Sequence, residues 1–175
     1  SKIYSSYGAF AALKDDGSVI AWGQQIYGGD ISYGIGSNPS HGQLDFGVKD
    51  IFSTHYAFAA LKDDGSVVTW GYGNYGGSGN RLSQLKSGVK EIFSNSYAFA
   101  ALKDNGSVVT WGSYVYGGDS GSVASKISSG VLEIFSTESA FAALKDDGSV
   151  VTWGASKPGG DSSSVSSKLS SGVKN

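Results

Sequence analysis

Short apolar runs separated by polar turns recur along the chain at a nearly fixed spacing. FAALKDDGSVVTWG runs from Phe58 to Gly71 and again from Phe141 to Gly154, with close variants beginning at Phe10 and Phe99. Each copy predicts two strands, AFAAL and VVTWG, around a KDDGS turn. The Asp-Gly pair, Asn-Gly in the third copy, supplies the positive φ that a tight hairpin needs, at Gly17, Gly65, Gly106 and Gly148, so the flanking strands pair antiparallel. Another apolar run precedes each hairpin: Ile3-Tyr4-Ser5, Ile51-Phe52-Ser53, Ile92-Phe93-Ser94 and Ile134-Phe135-Ser136. No 3.6-residue periodicity is present, and the fold class is all-β.

Trp22, Trp70, Trp111 and Trp153 are separated by 48, 41 and 42 residues. A period of 40 to 45 residues with about four strands per unit is the signature of propeller blades. Residues 1–175 therefore read as one propeller, or half-propeller, of four four-stranded blades. The ends fall at the same phase of the repeat: Ser1-Lys2-Ile3 matches Lys90-Glu91-Ile92, and Ser171-Gly172-Val173-Lys174 matches Ser87-Gly88-Val89-Lys90. Four blades closing alone, two chains completing an eight-bladed ring, and an excerpt of a longer array all have this property. The tryptophans are expected to fill the joints between blades, their indole N–H meeting a backbone carbonyl there. Phe10, Phe58, Phe99 and Phe141 alternate with small alanines, which suits blades tapering toward an axis.

The pattern SGV, a short apolar strand and ALKDDGSVVTWG resembles the repeat of the regulator of chromosome condensation family. It is closest to bacterial members of that superfamily, such as a secreted β-lactamase inhibitor. The resemblance covers all four units and implies a propeller of four-stranded blades that binds other macromolecules. Two features depart from the family pattern. Its Gly and His before the AL strand are replaced by Ser6, Thr54, Asn95 and Thr137 and by Ala9, Ala57, Ala98 and Ala140, and its Asn-x-x-Gly-Gln-Leu-Gly segment is reduced to YGGD-like text.

Composition narrows the chemistry. Cysteine is absent, which removes disulfides, thiolate metal sites and thiol nucleophiles. A net charge of −2 without like-charge runs gives no footprint for nucleic acid, and no apolar stretch approaches a membrane span. No cofactor or metal is expected: the Lys-Asp-Asp turns do not converge the six to eight oxygens of a hard-cation site. Gly118-Asp119-Ser120-Gly121 resembles a serine-protease nucleophile motif. It occupies the same loop register as Asp30-Ile31, Ser78-Gly79 and Asp161-Ser162, and neither histidine, His41 or His55, has a triad pattern, so no enzyme is expected.

Function is then expected where the repeats differ, on loops carried by a rigid scaffold. The segments after each Trp-Gly diverge and are rich in Tyr, Ser and Gly, the composition of many recognition surfaces. Tyr27, Tyr33, Tyr72, Tyr75, Tyr114 and Tyr116 are the candidate contacts, together with His41 in the first unit's insertion. The expected function is a non-enzymatic module recognising a protein or glycan, with secretion or surface display favoured. The alternatives are a self-assembling structural repeat, as a homodimer or in a longer array, and an inhibitor-like enzyme regulator. Near-identity of two fourteen-residue tracts points to recent duplication or consensus engineering.

Overall fold

Each Asp-Gly turn closes a hairpin. The computed structural model describes residues 2–32, 42–79 and 81–174. Blade 1 holds β1 (Lys2–Ser5), β2 (Ala9–Leu13) and β3 (Val19–Gly23); blade 2 holds β4 (Val48–Ser53), β5 (Ala57–Lys62) and β6 (Val67–Gly71). Blade 3 holds β7 (Val89–Ser94), β8 (Ala98–Lys103) and β9 (Val108–Gly112); blade 4 holds β10 (Val131–Ser136), β11 (Ala140–Lys145) and β12 (Val150–Gly154). Every trio is a separate antiparallel meander. The first strands lie side by side, β1 next to β4, β4 next to β7 and β7 next to β10, along an inner rim.

A fourth strand per blade is expected from the repeat length, but among the described residues each sheet has three. The chain after each Trp-Gly turns at once instead of extending. Gly28, Gly76, Gly117 and Gly159 sit at φ of 94°, 108°, 97° and 108°, which an extended strand cannot accommodate. Where a fourth strand would pair, the returning loop of blades 1, 3 and 4 makes one backbone bond to the start of the third strand, from Val19 N–H to Leu44 O, Val108 N–H to Ile127 O and Val150 N–H to Leu169 O.

Side chains on the middle strands alternate between neighbours with the two-residue period of a strand. Ala57, Ala59 and Leu61 face blade 3, where they meet Ile92, Phe99, Ala101 and Trp111. Phe58 and Ala60 face blade 1, against Ala9, Ala11 and Leu13. Phe58 pairs in register with Trp70, Phe99 with Trp111 and Phe141 with Trp153, and each pair stacks with ring centroids 5.1 to 5.4 Å apart. Trp70, Trp111 and Trp153 donate from Nε1 to the carbonyls of Gly28, Gly76 and Gly117 in the preceding blade, at 3.0, 3.2 and 3.2 Å. Each joint thus combines apolar burial with a satisfied indole.

The hairpin turns carry a pH-dependent term. Asp16, Asp64 and Asp147 accept the amide and hydroxyl of Ser18, Ser66 and Ser149, and these bonds hold the three carboxyls below their ordinary range. Asn105 makes the same bonds to Ser107 without a charge. A depressed folded-state pKa gives stability that is complete above the unfolded value, 3.8, and is lost as pH falls through the folded values. The thermal midpoint is therefore expected to hold from neutrality to roughly pH 5 and to fall below about pH 4. Replacing all three aspartates with asparagine should flatten that fall; an unchanged acid limb would remove these turns as its source.

Candidate functional site

The loops that follow Trp22, Trp70 and Trp111 are pinned to the turn between the first two strands of the same blade. Ser6 Oγ donates to the Tyr27 carbonyl at 2.8 Å, Thr54 Oγ1 to the Tyr75 carbonyl at 3.0 Å and Asn95 Nδ2 to the Tyr116 carbonyl at 2.7 Å. The same side chains accept the amides of Ala9, Ala57 and Ala98. In blades 1 to 3 one polar residue thus fixes both the strand entry and the loop that carries a tyrosine. Thr69, Thr110 and Thr152 anchor those loops from the third strand, through the carbonyls of Gly77, Gly118 and Gly160.

With the loops held, the tyrosines form a ladder across three blades. Tyr27 stacks on Tyr56 at 5.3 Å, Tyr56 on Tyr75 at 4.6 Å, Tyr75 meets Tyr97 at 5.8 Å and Tyr97 meets Tyr116 at 4.5 Å. All five rings are partly buried and partly open. His55 and the exposed Tyr7 flank them, with His55 edge-on to Tyr97 at 5.6 Å and Tyr7 tilted against Tyr27 at 5.6 Å. The ladder stops at both ends. The position of Tyr56 and Tyr97 is Gly8 in blade 1, whose backbone is covered by the Tyr27 ring, and Ser139 in blade 4. Burial, followed by the charge of Glu138, raises the Tyr97 phenol above its usual value, so it stays a neutral hydrogen-bond donor at physiological pH.

Of the sequence-derived candidates, Tyr27, Tyr75 and Tyr116 come together in this ladder, and Tyr72 packs beside Tyr56 and Tyr75. Tyr114 stands apart. It is exposed and helps to line a cleft of about 570 Å³ between blades 2 and 3, with Asn74, Tyr75, Trp111 and the Arg81–Asp119 ion pair. Tyr33 and His41 lie outside the described residues. Tyr56 and Tyr97 are contributors the sequence reading did not single out. Their signal was present: the residue before each AFAAL strand reads Gly8, Tyr56, Tyr97 and Ser139, as variable as the loops.

At the protease-like motif, Ser120 is buried and its hydroxyl is bonded to Thr110 Oγ1 at 3.0 Å. Ser162 and Thr152 repeat that pair in blade 4 at 2.9 Å, which makes it a loop fastening. Asp119 is engaged by Arg81 and by the Gly121 amide.

No protein-family description matches the chain, and no curated protein matches it. Solved structures do. The ectodomain of the receptor kinase CR4 from Physcomitrella patens is 20% identical, with a TM-score of 0.57 over 87% of this chain and 40% of that one. Yeast RCC1 (Prp20), solved with Kap60 bound, is 20% identical, with a TM-score of 0.56 over 87% and 41%. Prp20p from Saccharomyces cerevisiae, described with its binding properties to Gsp1p and histones, is 21% identical, with a TM-score of 0.55 over 87% and 43%. The chain spans less than half the length of each of these structures. At such identities the likeness establishes architecture, and the chain has the fold of four blades of an RCC1-like β-propeller.

Proposed function

We propose that the protein is a non-enzymatic interaction module that takes a protein or glycan ligand on its tyrosine ladder, in the setting of a secreted or surface-displayed bacterial repeat protein. The carrying observation is the run of five rings, Tyr27–Tyr56–Tyr75–Tyr97–Tyr116, supplied by three blades and held by a repeated polar anchor. Aromatic faces stack on sugar C–H faces, prolines and other rings, while phenol hydroxyls fix orientation. A scaffold-held row offers this area at low entropic cost. Yeast Prp20, of the same fold, binds proteins.

The Tyr56→Ala/Tyr97→Ala pair removes the middle of the ladder and leaves the Phe–Trp packing of the blade joints in place. On a glycan microarray and a displayed peptide library, it is expected to weaken the wild-type hits at least tenfold, or about 1.4 kcal/mol. Tyr114→Ala, away from the ladder, should leave them intact. Hits unaffected by the double substitution would sink this reading.

The finer assembly reading is a homodimer or a longer array, in which the ladder would be displayed on a completed ring.

A further inference from the structure

We infer that the two outer faces of the four-blade array are the halves of one more blade joint, and that a second copy of this chain joins them, two chains closing head to tail into an eight-bladed ring. The inference rests on the assembly reading above and is independent of what the tyrosine ladder binds.

The three internal joints repeat one set of contacts, and that set defines what an end lacks. In each, a Phe–Trp pair of the later blade covers the alanines of the earlier one, and the indole reaches back to a glycine carbonyl. Blade 1 presents the later half of this joint open to solvent. Phe10 and Trp22 are 46% and 44% exposed, where Phe58 and Trp70 are both at 0%. Ile20 and Ile3 stand open on the same face at 53% and 68%, where Val68 and Ile51 are buried.

Blade 4 presents the earlier half. A Cβ built on Gly28, Gly76 or Gly117 would strike the next blade's phenylalanine ring at 2.6, 2.4 or 2.8 Å, because the Cδ2–Cε2 edge of that ring lies against the glycine. At Gly159, in the same turn, the nearest atom is a methyl of Thr137 at 3.7 Å, so the seat for a phenylalanine is built and open. Phe135 is 48% exposed, whereas its counterparts Phe52 and Phe93 pack into the joints they face. Val173 N–H bonds to Gly148 O as Val131 does to Gly106 O, placing Val173 where the inner strand of a following blade begins.

Among the described residues, no backbone hydrogen bond joins blade 1 to blade 4, and the joint faces of Phe10 and Trp22 stay half-exposed in the single chain. A joint between unlike faces generates either a ring or an open fibre. Propellers span four to eight blades. Two copies give eight, and three would exceed the range.

Light scattering on the eluting 175-residue chain tests this directly. The expected mass is twice the 18.0 kDa of one chain and constant across a hundredfold dilution in the micromolar range. Trp22→Asp and Phe135→Asp each place a charge on one face that is half-exposed in the single chain, so the fold should survive, as far-UV circular dichroism would record. Each is expected to run as a monomer. Mixing the two variants should restore dimers, because one of the two joints in the mixed pair is then unaltered. A monomeric wild type, a mass that grows past two copies with concentration, or a Phe135→Asp variant that stays dimeric would each overturn the proposal. The Tyr56→Ala/Tyr97→Ala variant should dimerise normally, so loss of binding and loss of assembly read out separately.

Discussion

Trp70→Ala is expected to lower the free energy of unfolding by roughly 3–5 kcal/mol, the range for truncating a fully buried large aromatic. Trp70 is wholly buried, stacks on Phe58 and donates to the Gly28 carbonyl across the joint. Alanine removes the stack, opens a void beside Phe58 and takes away the partner of a buried carbonyl, which adds on the order of 1 kcal/mol. Stability in a repeat array is close to a sum of blade terms and neighbour terms, so this loss concentrates at the joint between blades 1 and 2. The same substitution at Trp22 removes a ring already half in water, with no cross-blade bond among the described residues. It should cost about 1 kcal/mol in the isolated chain. Urea midpoints of the two variants in a monomeric background, such as one carrying Phe135→Asp, would check this. Equal shifts at Trp22 and Trp70 would contradict the assignment of the joints.

That contrast marks what the letters could and could not convey. Trp22 and Trp70 sit in the same motif, and the pattern treats them as equivalent. Their difference comes from having or lacking a preceding blade, which is a property of the array and not of the motif. The hairpins were legible for the opposite reason: Asp-Gly chemistry is local, and the glycines at 17, 65, 106 and 148 take the positive φ that the turn demands. The missing fourth strand shows where periodicity runs out. A 42-residue repeat has length for four strands, yet the Gly-Gly pairs spend that length on a tight turn, and the loop returns to the third strand through isolated bonds and not through a ladder.

The candidate site was half legible. Tyr27, Tyr75 and Tyr116 were found because they lie in the divergent loops. Tyr56 and Tyr97 were passed over because THYAF and NSYAF lead into a core strand and look like scaffold. What places them beside the loop tyrosines is the polar anchor at Thr54 and Asn95, and these are positions where the chain departs from the repeat pattern it resembles. A polar residue at this position therefore has a structural use here: it supplies the side chain that ties a tyrosine loop to the strand entry.

Gly76→Ala should destabilise by roughly 2–5 kcal/mol, the sum of two separate penalties. Gly76 has φ of 108°, outside the range L-residues tolerate without strain. Its new Cβ would also lie 2.4 Å from the Phe99 ring. That ring cannot retreat, because Phe99 is fully buried and stacked on Trp111, whose indole is bonded to the Gly76 carbonyl. Gly159→Ala separates the two penalties: it has the same φ of 108° but meets only a methyl at 3.7 Å. It should therefore cost the backbone share alone, roughly 1–3 kcal/mol. The single-chain difference between the two variants, read from urea unfolding of monomeric backgrounds, measures the clash at an occupied phenylalanine seat. In the assembled ring the difference should disappear in a specific way. A second copy's Phe10 would then need the seat over Gly159, so Gly159→Ala should fold well as a monomer and fail to dimerise, whereas Gly76→Ala should weaken the fold before assembly is reached. A Gly159→Ala chain that dimerises as tightly as the wild type would show that Phe10 does not take that seat.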